Sequence, residues 1–355
     1  MRNPTYSMLV GAAVAALLVL PASGADTGWV TWPTKSFDTR GLRIDDVVGD
    51  VRVTVQDGPM KVDVSGSKEL VGGLTVKKEG DSLLINGSDN VSYSVWDWRK
   101  WFDFSHIRDD YNQGHLLIKV TVPKGTPIKI SDLIGNAAVG DTYGPISLES
   151  VASDATIGKV SQANVSLGGS GKIAIADVAG ELKLEIAGSG RITSGHAGNV
   201  RADIAGSGDA QLGTIAGGVN IDIAGSGDFT AARVNGPVHV DIAGSGNVKI
   251  ADGVADPLKV DILGAGDLYF GGTAVNPSIS AMGSGNVRLK AYRGKLSNDG
   301  MADVQVGSVM PPTPPTPPTP PTPPRPPHAP TPPTPPHAPT PPTPPHHSDD
   351  GDDDN

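Results

Sequence analysis

The 355-residue chain has no cysteine, so its fold must hold without a disulfide even in an oxidising compartment. It also has no long apolar run. The longest, Met8–Leu20, is thirteen residues, too short to span a membrane. Basic residues do not predominate: the formal net charge is −10, and the acid excess persists once both chain ends are set aside. That balance argues against a phosphate backbone as partner, and so against nucleic-acid binding. The Gly-x-Ser-x-Gly elbow, the His-Glu-x-x-His helix and the phosphate-binding loop are missing as well. Apolar residues make up only 37%, a deficit that comes largely from the end of the chain.

What is present divides the chain into four stretches. Residues 1–25 read as a secretory signal: Arg2, the apolar run, a break at Pro21, and small residues Ser23 and Ala25 before Asp26. No cysteine follows that run to carry a lipid, so the expected location is exported, either periplasmic or at the cell surface, with no membrane span after the signal is removed. Residues 308–355 form a low-complexity tail of Thr-Pro-Pro repeats, expected to be disordered or polyproline II, ending in histidines and aspartates. Residues 26–126 and 127–307 lie between.

The second of these two is a repeat. The glycines that open its Gly-x-Gly corners are Gly169, Gly188, Gly206, Gly225, Gly244, Gly264 and Gly283, stepping by 18 to 20 residues. Each copy alternates apolar and polar with period two, which marks strands. Leu182-Lys183-Leu184-Glu185-Ile186 precedes one corner, and Val248-Lys249-Ile250 follows another. Strands this short cannot bury an apolar face alone, but stacked about 4.8 Å apart they share a continuous core. The expectation is an all-β protein: a right-handed parallel β-helix, or solenoid, of about nine coils of ~19 residues. A further inward apolar column is expected at Val178, Ile215, Val234 and Val254, with His196 at the same coil position. Residues 26–126 carry strand-like runs separated by turns and are expected to form an antiparallel β region that caps one end.

Three segments carry a family resemblance: "FDTRGLRIDDVVGDVRVTVQDGPMKVDVSG", "LLIKVTVPKGTPIKISDLIGNAAVGD" and the reiterated "AGSGD/N". Together they resemble the head GIN domain family of putative autotransporter adhesins over about Phe37 to Lys290. The resemblance implies an exported bacterial β-helical domain of adhesin type and brings no catalytic residues with it. The chain lacks the aromatic-terminated strands of a translocating barrel.

Several constellations are candidates for function. Glu185, Asp203, Asp222, Asp241 and Asp261 should form an outward acidic column beside Lys183, Arg201, Asn220, His239 and Lys259, a mixed-sign ladder whose first reading is structural. A calcium roll would need its Gly-rich turn again nine residues on, where Gly218 and Pro237 stand, and Lys172 and Arg191 occupy the would-be ligand column. The stretch 92–115 concentrates Tyr93, Trp96, Trp98, Trp101, Phe102 and Phe104. It reads either as a hydrophobic lid over the end of the helix or as a ligand-binding platform for a sugar or protein. His328, His337, His346 and His347 in the tail are weak metal candidates, and no cofactor is indicated.

These features lead to a non-enzymatic adhesion or cell-envelope scaffold protein. Its partners would be a cell-envelope polysaccharide or a surface protein, with homo-oligomerisation open through the edge of the last coil. A soluble envelope-glycan-binding module is the alternative, and a polysaccharide-active enzyme ranks third because the even repeat spacing leaves no excursion to wall a cleft.

Overall fold

The computed structural model describes residues 28–87, 116–300 and 303–310. The chain divides into two units, Met1–Pro312 and Thr313–Asn355, and every described residue belongs to the first.

Period-two alternation becomes strands that point one set of side chains inward. The run Glu181–Gly188 buries Leu182, Leu184 and Ile186 and exposes Glu181, Lys183 and Glu185. Asn199–Gly206 lies parallel to it, with Leu182 opposite Val200 and Ile186 opposite Ile204. The same register carries on through Val219–Gly225, the later part of Asp228–Gly244, Gly253–Gly264 and Ser278–Gly283. A second row of parallel strands follows the corners: Lys172–Val178, Arg191–Ala197, Asp209–Ile215 and onward to Asp303–Met310. The result is a β-solenoid of about nine turns.

The corner glycines align in a column, Gly188, Gly206, Gly225, Gly244, Gly264 and Gly283, each opposite the next. All six have positive φ, between 120° and 150°, which L side chains rarely adopt. Inside, a single apolar cluster runs from Leu42 to Leu289. One inward column is isoleucine at five successive coils, Ile186, Ile204, Ile223, Ile242 and Ile262, whereas in another the fully buried Phe229 has Ala210 opposite on one side and Val248 on the other.

The N-terminal region joins this stack. Its strands are β1 (Trp29–Thr31), β2 (Lys35–Phe37), β3 (Gly41–Asp45), β4 (Val48–Val55), β5 (Met60–Ser67), β6 (Thr75–Glu79), β7 (Ser82–Asn86), β8 (Leu116–Val122) and β9 (Ile128–Val139). Antiparallel pairs are present as expected: β5 with β1, β2 and β8, and β6 with β7. The structure adds parallel ones. β3 and β4 together make one turn of the solenoid, lying on β9 along one edge and on β7 and β8 along the other. A short helix, α1 (Lys68–Gly72), is capped by Ser67 and buries Val71.

Two positions in the links between coils differ from expectation. Gly253, not Val254, stands opposite Val234; Val254 faces outward and is 45% exposed. The offset between these two coils is 19 residues from the corner Gly225/Gly244 through Gly236/Ala255, and the extra residue of the longer coil enters only after the link, between Gly236 and Val238. His196 lies opposite Asp177 and Thr214, on the outward side, and Ala197 takes the inward place opposite Ile215. Its ring stays in water and hydrogen-bonds Asp177 through Nδ1 at 2.8 Å, which avoids burying a polar imidazole.

Candidate functional site

The outward residues of the strands before the corners form three adjacent columns along the solenoid. The acidic one is Glu185, Asp203, Asp222, Asp241 and Asp261, with successive members directly opposite. Two residues earlier run Lys183, Arg201, Asn220, His239 and Lys259. Two residues after the acids run Ala187, Ala205, Ala224, Ala243, Leu263 and Met282.

The first two columns are laced together. Arg201 reaches Asp203 at 3.1 Å and Asp222 at 3.3 Å, and Lys259 reaches Asp261 at 2.9 Å. Asn220 donates to Asp222 at 3.0 Å, and His239 Nε2 lies 3.2 Å from Asp241. These contacts raise the pKa of Arg201 and of Lys259, in each case chiefly through the hydrogen bond to the neighbouring aspartate. Asp222 is raised as well, which for an acid disfavours the charged form. Partial burial, and then Asp203, lift its carboxyl above the ordinary range, and Arg201 offsets this only in part. Arg201 and Lys259 are the permanent cations in contact with this column, since Lys183 pairs with Glu181 at 3.9 Å, and Asn220 and His239 add no fixed charge at their rungs.

The acidic and alanine columns line an open groove of about 590 Å³ that extends from Glu185 to Met282. Its outward apolar wall is alanine over four coils, at Ala187, Ala205, Ala224 and Ala243. At the last two coils that wall rises into Leu263 and Met282, 63% and 65% exposed and directly opposite one another. A signal for this was present in the sequence: where earlier copies read Ile-Ala-Gly, these read Ile-Leu-Gly and Ala-Met-Gly. A second groove, of about 620 Å³, is lined by Arg40, Arg43, Lys129, Lys183, Asp81 and Glu181 among others, and is mixed in charge.

Two further polar arrangements are structural. After the corners, Asp228 Oδ1 accepts from both the backbone N–H and the side-chain amide of Asn247, each at 3.0 Å. Asp267 Oδ1 does the same for Asn286, at 2.8 and 3.0 Å. From Asp228 to Asn286 aspartate alternates with asparagine, which spaces the charges and lets each carboxylate tie down the next coil; Asp209, directly opposite Asp228, is instead paired with Arg191. Near the N-terminal end, Asp45 is buried and bonded to Arg43 at 2.6 Å. Burial holds its carboxyl above the usual range despite Arg43, and Asp132 is raised for the same reason, with Asp46 and Glu149 adding to it.

The sequence-predicted ligand platform, Tyr93, Trp96, Trp98, Trp101, Phe102 and Phe104, lies outside the described residues, as do His328, His337, His346 and His347. The predicted acidic and basic columns are brought together as expected.

A family model described as "Putative auto-transporter adhesin, head GIN domain" matches residues 44–253. The chain belongs to the head GIN domain family. The matched span begins at the end of β3, leaving out β1 and β2, and runs through the solenoid past the corner at Gly244. Solved structures are also similar to the chain. A putative adhesin from Parabacteroides distasonis shares 16% identity at a TM-score of 0.33, over 81% of this chain and 98% of the other. A second protein from that organism, described as a putative lipid binding protein, shares 17% at 0.38 over 80% and 98%. A putative adhesin from Parabacteroides merdae shares 13% at 0.30 over 81% and 97%. No match is found among curated proteins.

Proposed function

We propose that this head GIN protein is an exported, non-enzymatic adhesion or cell-envelope scaffold protein, and that the groove from Glu185 to Met282 is its contact face. The carrying observation is the groove's construction. Its walls are outward side chains of register-paired strands, its floor runs along the strands at the buried Ile186, Ile204, Ile223, Ile242 and Ile262, and its apolar end is the exposed pair Leu263 and Met282. Such a surface is rigid, long and shallow, suited to an extended polymer or a protein surface rather than to enclosing a small substrate. Its carboxylates are engaged by Arg201, Asn220, His239 and Lys259 rather than arranged as an acid and a base across a scissile bond. Export is supported by the apolar leader at Met8–Leu20.

The test is pull-down of the full chain on peptidoglycan, purified envelope polysaccharide and intact cells, beside a Leu263→Ser/Met282→Ser variant and a Trp96/Trp98/Trp101→Ala variant. Loss of binding in the first variant alone supports the groove, and loss in the second alone transfers the role to the aromatic stretch. Turnover of any polysaccharide by purified protein would overturn the non-enzymatic reading. Fractionation of tagged cells, with surface protease treatment, tests the location.

A further inference from the structure

We propose that His239, Asp241 and Asp261 form a binding site for one borderline divalent transition-metal ion of the zinc, cobalt or nickel class. The proposal stands on these side chains alone and does not depend on the adhesion reading.

One donor atom from each residue lies within 4.8 Å of the other two. Backbone register brings them together: His239 and Asp241 are two apart on one strand and share a face, and Asp261 lies directly opposite Asp241 on the next coil. A ladder of strands fixes such a spacing more firmly than a loop would. Around a tetrahedral ion with bonds of about 2.0–2.2 Å the donors sit roughly 3.4 Å apart. His239 Nε2 and Asp241 already lie at 3.2 Å, so only Asp261 has to draw in, by no more than about 1.4 Å. All three are only partly buried, which leaves their rotamers free to do so, and solvent can complete the coordination.

The charge balance favours a cation at this rung. Where Lys183, Arg201 and Lys259 supply a fixed positive charge beside the acids, Asn220 and His239 supply none. Two carboxylates with a neutral imidazole neutralise a divalent ion. One nitrogen with two oxygens selects zinc-like ions over calcium, which takes six to eight oxygens. One group competes: Lys259 Nζ sits 2.9 Å from Asp261 and must give way. It is half-exposed, so that pair is weak.

The experiment is titration of the full-length chain with Zn²⁺ by calorimetry, and with Co²⁺ by visible absorption, where imidazole–carboxylate coordination gives d–d bands. Wild type should show one site that His239→Gln and Asp261→Asn each weaken by at least about tenfold. Lys259→Ala should tighten that site, and His328/His337/His346/His347→Gln should leave it intact. These are outward positions, so far-UV circular dichroism should be unchanged in all variants. The proposal fails if wild type has no such site, if His239→Gln binds as wild type does, if the tail variant loses the site, or if Lys259→Ala weakens it.

Discussion

Gly244 packs directly on the carbonyl of Gly225: a Cβ on Gly244 would fall 2.2 Å from that oxygen, and its φ is +139°. Gly58 also has positive φ, +116°, but a Cβ there would meet nothing within 4 Å. Gly244→Ala should therefore cost more than about 2 kcal/mol, since strain and a clash with fixed backbone add together, whereas Gly58→Ala should cost about 1–2 kcal/mol from strain alone. Denaturant midpoints measured side by side would check the order. Equal losses would mean that stacking of the corners contributes nothing.

Core packing predicts a contrast between neighbours. Phe229 is fully buried and Thr230 faces outward. Phe229→Ala should lower stability by about 3–5 kcal/mol, because Ala210 and Val248 on either side cannot close the cavity. Thr230→Ala should stay within about 0.5 kcal/mol. Thermal melts of the two variants provide the comparison.

The Asp/Asn ladder predicts a salt-dependent loss. Asn247→Asp would put four carboxylates in one row, joining Asp209 and Asp228 on one side to Asp267 on the other, and would remove the amide that donates to Asp228. A loss of about 0.5–1 kcal/mol is expected at low ionic strength, shrinking as salt is added. A loss independent of salt would assign the effect to the hydrogen bond alone.

For Asp45 the sign of the pH dependence follows from its raised pKa. Burial, with Asp46 adding, favours the neutral carboxyl in the folded state. The resulting penalty is absent below the ordinary value of 3.8, grows as pH rises above it, and is complete above the folded-state pKa. Asp45→Asn should therefore gain in melting temperature relative to wild type between pH 3.5 and pH 7. A gain that shrinks with rising pH would show that Arg43 outweighs burial.

The solenoid was legible because its corners repeat: the glycine column and the acidic and basic columns stand where their spacing placed them. The links were read less well. Their lengths vary by a residue, and alternation alone could not tell His196 from Ala197 or Gly253 from Val254. The coil made by β3 and β4 was harder still. It has no Gly-x-Gly corner, and it turns at Asp46, φ +56°, as the next coil turns at Asp132, φ +53°. Its partners are also remote in sequence, so no local pattern announces them. Leu263 and Met282 could have been found by aligning the repeats on Ala243 and asking where the small residue grows.

The place of that early coil bears on how the chain assembles as it is made. β3 and β4 are synthesised first among the coils, yet every strand that flanks them in the stack, β7, β8 and β9, comes later, the last finishing at Val139. Those first residues must wait, edges unmet, through some eighty more additions at the ribosome. Downstream coils need only the next ~19 residues to find a neighbour. Assembly should thus start in the regular middle and close the N-terminal end late, making that end the slowest to mature and the first to open to a protease.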